Sequence, residues 1–437
     1  MSTAIASGPF ARVLETSAGS PAPELLQQLR GRGREQFERA GLPSRRREAW
    51  RFTRLKDIEQ AVYEPPATSP ERVDISRWQR QECHTLVFVD GLFSPDLSAK
   101  PKLPDGVTIS NLVLSSVSES AVASEHLGRL IDLNDHPFAA LNSAILTDGA
   151  VIHLPEGATV EQPIQLLFVA GTGDQPTVRA PRILVVAEPG SRATLEEHHV
   201  GSDNASLTCP VSEITLARDA TLEHVVIQQE GTETSFLATR TVQLAAGSRY
   251  LSHNLSLGGG LARNDIDVRL GGEHAEAALD GLYLTDGRQH ADTHLTVRHH
   301  AGRCESHQLY KGILGGRSRA VFNGRIVVDQ DAQQTDANQS NRNLLLSDDA
   351  VVNSNPQLEI FADDVRCTHG STVGRLDDEA IFYLRTRGID RAAAQRLLTT
   401  AFAGEVLDRV PVDDLRDRLR IDVEARLDDM TEGRSAA

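Results

Sequence analysis

Between residues 144 and 374 apolar and polar positions alternate in short runs: AVIHL, IQLLFV, RILVVA, EITLA, TLEHVVIQ, TRTVQL, DIDVRL, THLTVR, AVFNGRIVV and QLEIF. A period of two places successive side chains on opposite faces, so each run predicts a strand. Gly, Pro, Asp or Asn bounds each run, and no helical periodicity intervenes, which predicts one long all-β block. Its turns echo one another at Gly157-Ala158, Gly190-Ser191, Asp219-Ala220, Gly247-Ser248, Gly272-Glu273, Gly316-Arg317 and Asp349-Ala350. The first-named positions are separated by 33, 29, 28, 25, 44 and 33 residues. That irregular period suggests rungs of a stacked β-solenoid. Alternation also suits an antiparallel sandwich, but sparse aromatics and Val, Ile and Leu at alternate positions favour the β-helix.

The flanks have a different texture. Leu25, Leu26, Leu29 and Phe37 follow Pro21 and Pro23 at near-helical spacing within 22–62. Residues 63–82 are rich in Pro and polar side chains and predict a linker. A short strand is expected at 85–89 and a further helix at 123–132. After Gly374, Asp377 precedes an apolar-periodic run ending at Gly388, and Asp390 can cap a second helix. A third helix starts at Pro411, and the last seven residues are expected to fray. The predicted organisation is an N-terminal helical region and linker (1–80), a mixed connecting segment (81–143), a β core (144–374) and a C-terminal helical domain (375–437).

Composition narrows the function classes. The 437 residues are 40% hydrophobic, enough for a buried core, and carry 45 Lys+Arg against 61 Asp+Glu, a formal charge of −16. That balance disfavours nucleic-acid binding, where phosphate neutralisation supplies most of the affinity. The local exception is 30–56, where ten basic residues face three acidic ones; a solvated helix accounts for much of it. The apolar run 163–170 is far shorter than the roughly 20 residues of a membrane-spanning helix. The N-terminus lacks the pattern of a secretory leader, so a cytoplasmic protein is expected. Cysteines at 83, 209, 304 and 367 are too few and scattered for a disulfide framework.

Candidate chemistry lies in three places. No G-x-x-x-x-G-K-[ST] motif is present, so ATP hydrolysis by this chain is not expected. His290, Asp292 and His294 share a strand face by the period of two and could converge on a metal ion, or equally form a solvated face. Cys304 and His307, three apart, point to opposite faces, as do the adjacent pairs His198-His199 and His299-His300. Cys367 and His369 fall on one face after the strand QLEIFADDV. They could supply two ligands to iron, or the imidazole could lower the thiol pKa; a buried Cys beside a turn histidine is the plain alternative. One Cys and one His cannot saturate an iron–sulfur cluster, so further ligands would come from elsewhere, such as a second chain.

Longer motifs add a family resemblance. HQLYKGIL (307–314), FNGRI (322–326), DAQQTDANQSNRNLLLSDDA (331–350) and NPQLEIFADDVRCTHGSTVGRLDDEAIFYLRTRGI (355–389) resemble the SufB/SufD family of the SUF iron–sulfur cluster assembly system. LPSRRREAWRFTRL (42–55) is similar to the amino-terminal signature of the SufD branch. The resemblance implies a right-handed parallel β-helix core with small α-helical N- and C-terminal domains, and so the β-helix rather than the sandwich. It implies a non-catalytic subunit that pairs with a SufB-like scaffold and a SufC-like ABC ATPase, or with itself as a homodimer. The cluster would form at the SufB–SufD interface, with His369 and Cys367 lining the site and no cofactor held stably by this chain alone. SufB scaffolds carry a Cys in the segment matching 338–346; NQSNRNLLL here has none, which argues against a SufB assignment. SufC would dock within 377–410, where Ile381, Phe382, Leu397, Leu398 and Phe402 are the apolar candidates. A different expectation, from the histidine stretch alone, is a free-standing metal-dependent enzyme on a β-helix using His290, Asp292 and His294.

Overall fold

The computed structural model describes residues 8–65, 73–99, 102–117, 121–171, 173, 175–201 and 204–432. Its core is a parallel β-helix of about eight turns, flanked by small helical regions at both ends. Each turn contributes one strand to a ten-stranded sheet, from Leu92–Phe93 and His84–Val89 to Val365–Gly374, and one to an eleven-stranded sheet ending at Val351–Ile360. Every pairing between successive turns is parallel and in register; the two antiparallel pairs, Leu92–Phe93 with His84–Val89 and Thr108–Asn111 with Gly149–Leu154, sit at the first turn.

Register explains the alternating sequence. Ile152, Val185, Ile214, Val242, Val268, Val297, Ile326 and Leu358 are successive Cα partners, one per turn, and form an aliphatic ladder inside the helix. Branched side chains suit such a stack because they pack on a pleated surface and, where β-branched, are already stiff at χ1 and lose little rotamer freedom on folding. Close fits occur where Gly281 pairs with Tyr310 and Gly312 with Tyr283. A Cβ on Gly281 would come within 2.2 Å of the Tyr310 ring.

The turns resolve into two columns. Gly157, Gly190, Asp219, Gly247, His274, Arg303 and Gln334 all have φ between 58° and 69° and stack where the chain passes from the eleven- to the ten-stranded sheet. Gly287 and Gly316 lie at the opposite edge, as does Asp349. The uneven spacings in the sequence thus came from mixing two edges and from placing one corner at Gly272 instead of His274. Within the first column the spacing is 27 to 33 residues.

Outside the β-helix, helix Glu24–Ala40 crosses helix Pro137–Ile145, with Gly33 so close that a Cβ would lie 2.5 Å from the Ala144 nitrogen. Pro137–Ile145 is buried on every side, so it carries no amphipathic stripe and left no helical periodicity to read. The helix expected at 123–132 is only Val122–His126. Gly128 and Leu130 instead donate their backbone N–H groups to the Glu213 carboxylate, at 2.8 and 2.9 Å, which draws the chain off the helical path. The expected linker 63–82 falls partly on residues outside those described. Its Arg80 is firmly held, ion-paired to Glu196 of the β-helix and to Asp414 of the last helix.

The C-terminal helices are Asp378–Thr386, Arg391–Leu407 and Asp413–Glu432. Asp377 and Asp390 cap the first two, each accepting a backbone N–H at 2.9 Å. Leu415, Leu419, Val423, Leu427 and Met430 recur at helical spacing and cover the outer face of the ten-stranded sheet at Val225, Ile227, Leu255 and Leu282. Of the seven final residues expected to fray, 431 and 432 complete this helix and 433–437 lie outside the described residues.

Candidate functional site

The β-helix ends open. Val365–Gly374 and Val351–Ile360 are the terminal strands of their sheets, each hydrogen-bonded to a neighbouring strand on one side only. Cys367 pairs in register with Ala337 and His369 with Gln339, both of which point inward and are buried. The thiol and the imidazole therefore share the inward face, as the period of two required, but at a turn with no further turn above it among the described residues. Cys367 is half-buried against Ile326, Val328, Ala332, Ala337 and Ala362. His369 is exposed. Below them runs a polar chain: Ser371 Oγ donates to Ser354 Oγ (2.8 Å), which donates to Asn341 Oδ1 (2.9 Å). Gln339 Nε2 donates to Gln308 Oε1 at 2.6 Å one turn deeper.

The Cys367 thiol is pushed up, first by burial and then by the nearby Asp336 carboxylate. His369 is not among the groups that shift it, and binding a metal there would release the thiol proton.

His290, Asp292 and His294 do share one face of strand His290–His299, pointing outward. That face is covered by the N-terminal motif 42–55. Asp292 is fully buried and committed: its Oδ2 accepts from Arg263 Nη1 and from Thr53 Oγ1, both at 2.5 Å. His290 Nε2 lies 3.1 Å from the same Thr53 hydroxyl, and His294 Nε2 3.1 Å from Asp292 Oδ1. Arg263, the Cα partner of Asp292 on the preceding turn, also donates to the Ala49 carbonyl at 2.8 Å. Its guanidinium stacks 3.9 Å from the Trp50 ring centroid. Burial alone would raise the Asp292 pKa; Arg263, His294 and Thr53 outweigh it and hold the carboxyl well below its ordinary range. Among the described residues no three His, Cys, Asp or Glu side chains converge as a metal site. The three residues are the socket for the N-terminal motif, because a buried carboxylate facing a guanidinium is already neutralised.

Other histidines are structural in setting. His299 Nε2 lies 2.9 Å from Ser306 Oγ, and His199 and His224 both face the buried Glu197 inside the β-helix, at 2.7 and 3.1 Å. Cys304 is buried at a corner and His307 is exposed, so the two do not meet. Thr53 and Arg263, which carry the anchoring, were invisible in the sequence. The motif holding Thr53 stood out, but nothing local linked it to a strand so far along the chain.

The candidate docking residues divide. Ile381 is 3% exposed and belongs to the interior of its helix pair, so it is not offered to a partner. Phe382 is 67% and Leu397 51% exposed, and Tyr383 lies beside Phe382 on the surface. Leu398 is half-buried, and Phe402 packs on the core beneath Lys311, whose Nζ lies 4.2 Å from the ring centroid. Helix Arg391–Leu407 buries Ala394, Thr399, Ala403, Val406 and Leu407, and not the side bearing Leu397. Ala-sized contacts let it approach the sheet closely, a signal that apolar bulk alone does not reveal.

Comparison with known proteins agrees with this architecture. Residues 168–402 match the family model "SUF system FeS cluster assembly, SufBD core domain", and residues 15–166 match "SufBD protein N-terminal region". An iron–sulfur cluster assembly SufBD family protein of Synechocystis is 34% identical over 88% of this chain and 87% of its own length. The iron–sulfur cluster assembly protein SufD of Escherichia coli is 31% identical over 95% of both chains. The chloroplastic protein ABCI7 of Arabidopsis thaliana is 33% identical over 96% of this chain and 90% of its own. With its β-helix, its N-terminal motif and its open last turn all falling within these matches, the chain belongs to the SufB/SufD family of the SUF iron–sulfur cluster assembly system and is SufD-like within it.

Proposed function

We propose that this chain is the non-catalytic, SufD-like subunit of a cytoplasmic SufB–SufC–SufD assembly, supporting ATP-driven construction of an iron–sulfur cluster at its interface with a SufB-like scaffold. The observation that carries the reading is the uncapped last turn, where no strand of the described residues pairs beyond the one bearing Cys367 and His369. An imidazole and a thiol that gives up its proton on binding are half of a ligand set for iron, and the cluster is cargo that a second chain would help to hold. ATP hydrolysis would come from the SufC-like partner, docked on 377–410 through the exposed Phe382 and Leu397.

A movement of those helices has a physical route to the open turn. Lys311, in the ten-stranded sheet, donates to the Phe402 carbonyl at 2.9 Å and ion-pairs with Glu405. Its strand, Glu305–Leu314, is the neighbour of Thr335–Leu345, which in turn pairs with the strand bearing Cys367 and His369. Co-expression with SufB- and SufC-like partners tests the reading. His369→Ala should leave the complex intact while lowering its iron and acid-labile sulfide. Unchanged cluster content, or a chain that purifies only as a homodimer indifferent to both partners, overturns it.

A further inference from the structure

A cleft of about 1000 Å³ opens between the N-terminal segment, from Arg45 to Tyr63, and the turns of the β-helix at Thr234, Gly260 and Gln289. Five arginines line it: Arg45, Arg54, Arg288, Arg319 and Arg426. In a chain of net charge −16, surplus carboxylate is available to pair with guanidinium groups, and arginines over the rest of the molecule pair with it repeatedly, as Arg182 does with Glu213 and Arg325 with Glu359. Among the described residues none of the five cleft arginines makes an ion pair. Arg45 is turned to the Arg51 carbonyl and Arg426 to Gln289, while among the described residues the side chains of Arg54, Arg288 and Arg319 show no hydrogen-bond or ion-pair partner.

Unpaired guanidiniums gathered around one concavity repel one another, and an anion relieves that repulsion. The planar fork of Arg matches phosphate bidentately. The size of the cleft, at the top of the usual range for small-molecule pockets, exceeds what inorganic phosphate fills. Three carboxylates, Asp57, Glu233 and Asp286, share the lining without ion pairs. They suit hydroxyl donors such as those of a sugar, and they oppose a polyanionic chain such as nucleic acid. Phe52 stands at the rim, 44% exposed, with the Arg51 guanidinium 5.4 Å from its ring centroid, so one ring face is left for a ligand.

We propose that this cleft binds a small organic phosphate of nucleotide size, its phosphates on Arg54, Arg288 and Arg319 and its ring against Phe52. The chain lacks a P-loop, so binding here would not use that motif's phosphate cradle. The cleft touches the terminal strands only at Asn353 and includes neither Cys367 nor His369, and its test does not depend on the assembly role.

Calorimetric titration of the purified full chain with ADP, pyrophosphate and adenosine is the experiment. ADP should bind at one site per chain, weaken as salt rises, and bind far better than adenosine. The Arg54→Gln/Arg319→Gln variant, altered at exposed positions, should keep its circular dichroism and melting temperature and lose about tenfold or more in ADP affinity. Phe52→Ala should weaken ADP and leave pyrophosphate unchanged. No ADP binding at millimolar concentration, or the same affinity in the double variant, overturns the site. Equal affinity for pyrophosphate and ADP overturns the nucleotide-sized ligand.

Discussion

Asp292→Asn tests whether the carboxylate anchors the N-terminal motif or serves a metal. The substitution keeps the shape and an acceptor for Thr53 but removes the charge that faces Arg263. Stripping one partner from a buried pair costs about 3–5 kcal/mol when the other charge is left alone. Here Arg263 retains Asp265 at 2.7 Å, so the cost falls to about 2 kcal/mol. A chain of this size with separate helical and β parts need not unfold in one step, so the loss is best read locally. Arg263 also holds Ala49 and Trp50, and Asp292 holds Thr53, so the amides of 49–55 should report it. About 2 kcal/mol corresponds to a roughly 30-fold rise in local opening, visible as that loss of hydrogen-exchange protection. Thr53→Val should produce a similar change, and the double variant less than the sum, because both remove one contact network. The pH arm has a definite sign. A carboxyl held below its ordinary range stabilises above that range and loses the contribution as pH falls toward its folded value, so Asp292→Asn should flatten the acid sensitivity of the 49–55 amides. Unaltered protection in Asp292→Asn, or a stoichiometric metal in the purified chain that this variant abolishes, would refute the anchoring argument.

Three further outcomes are expected. Burial pushes the His299 imidazole down to about 4, so the unfolded chain binds a proton there that the native chain refuses, and stability falls as pH drops from about 6.5 toward 4; His299→Asn should reduce that slope in urea midpoints measured across this window. Gly281→Ala should drive a methyl group into the Tyr310 ring and cost about 1–3 kcal/mol, seen as a lower melting temperature; an unshifted melt would mean the ring moves freely. Phe382→Glu, at an exposed position, should weaken co-purification of a SufC-like ATPase without altering circular dichroism, and undiminished co-purification would remove this residue from the docking surface.

The parallel β-helix was legible because its rule is local and repeated. Alternation marks each strand, and a left-handed corner such as Gly157, Gly190, Asp219 or Gly247 marks each turn. The capped C-terminal helices were legible for the same reason, since Asp377 and Asp390 act within one helical turn. Helix Pro137–Ile145 escaped because total burial erases periodicity, and the helix after Val122 was overcalled because Glu213, remote in sequence, captures Gly128 and Leu130.

For the candidate sites the division is sharper. Strand parity placed Cys367 with His369, and His290 with Asp292 and His294, on common faces. Parity carries no information about what lies opposite a face. The chain's own residues cover the second set, bringing Thr53 and Arg263 onto Asp292, and leave the first set uncovered at the last turn. Dihedral preference and side-chain period act over a few residues and are written into the sequence directly. Which carboxylate is neutralised and which face is left to solvent depends on contacts between turns, as Arg263 makes with Asp292, and on segments as far apart as Thr53 and Asp292, and only the folded chain brings those together.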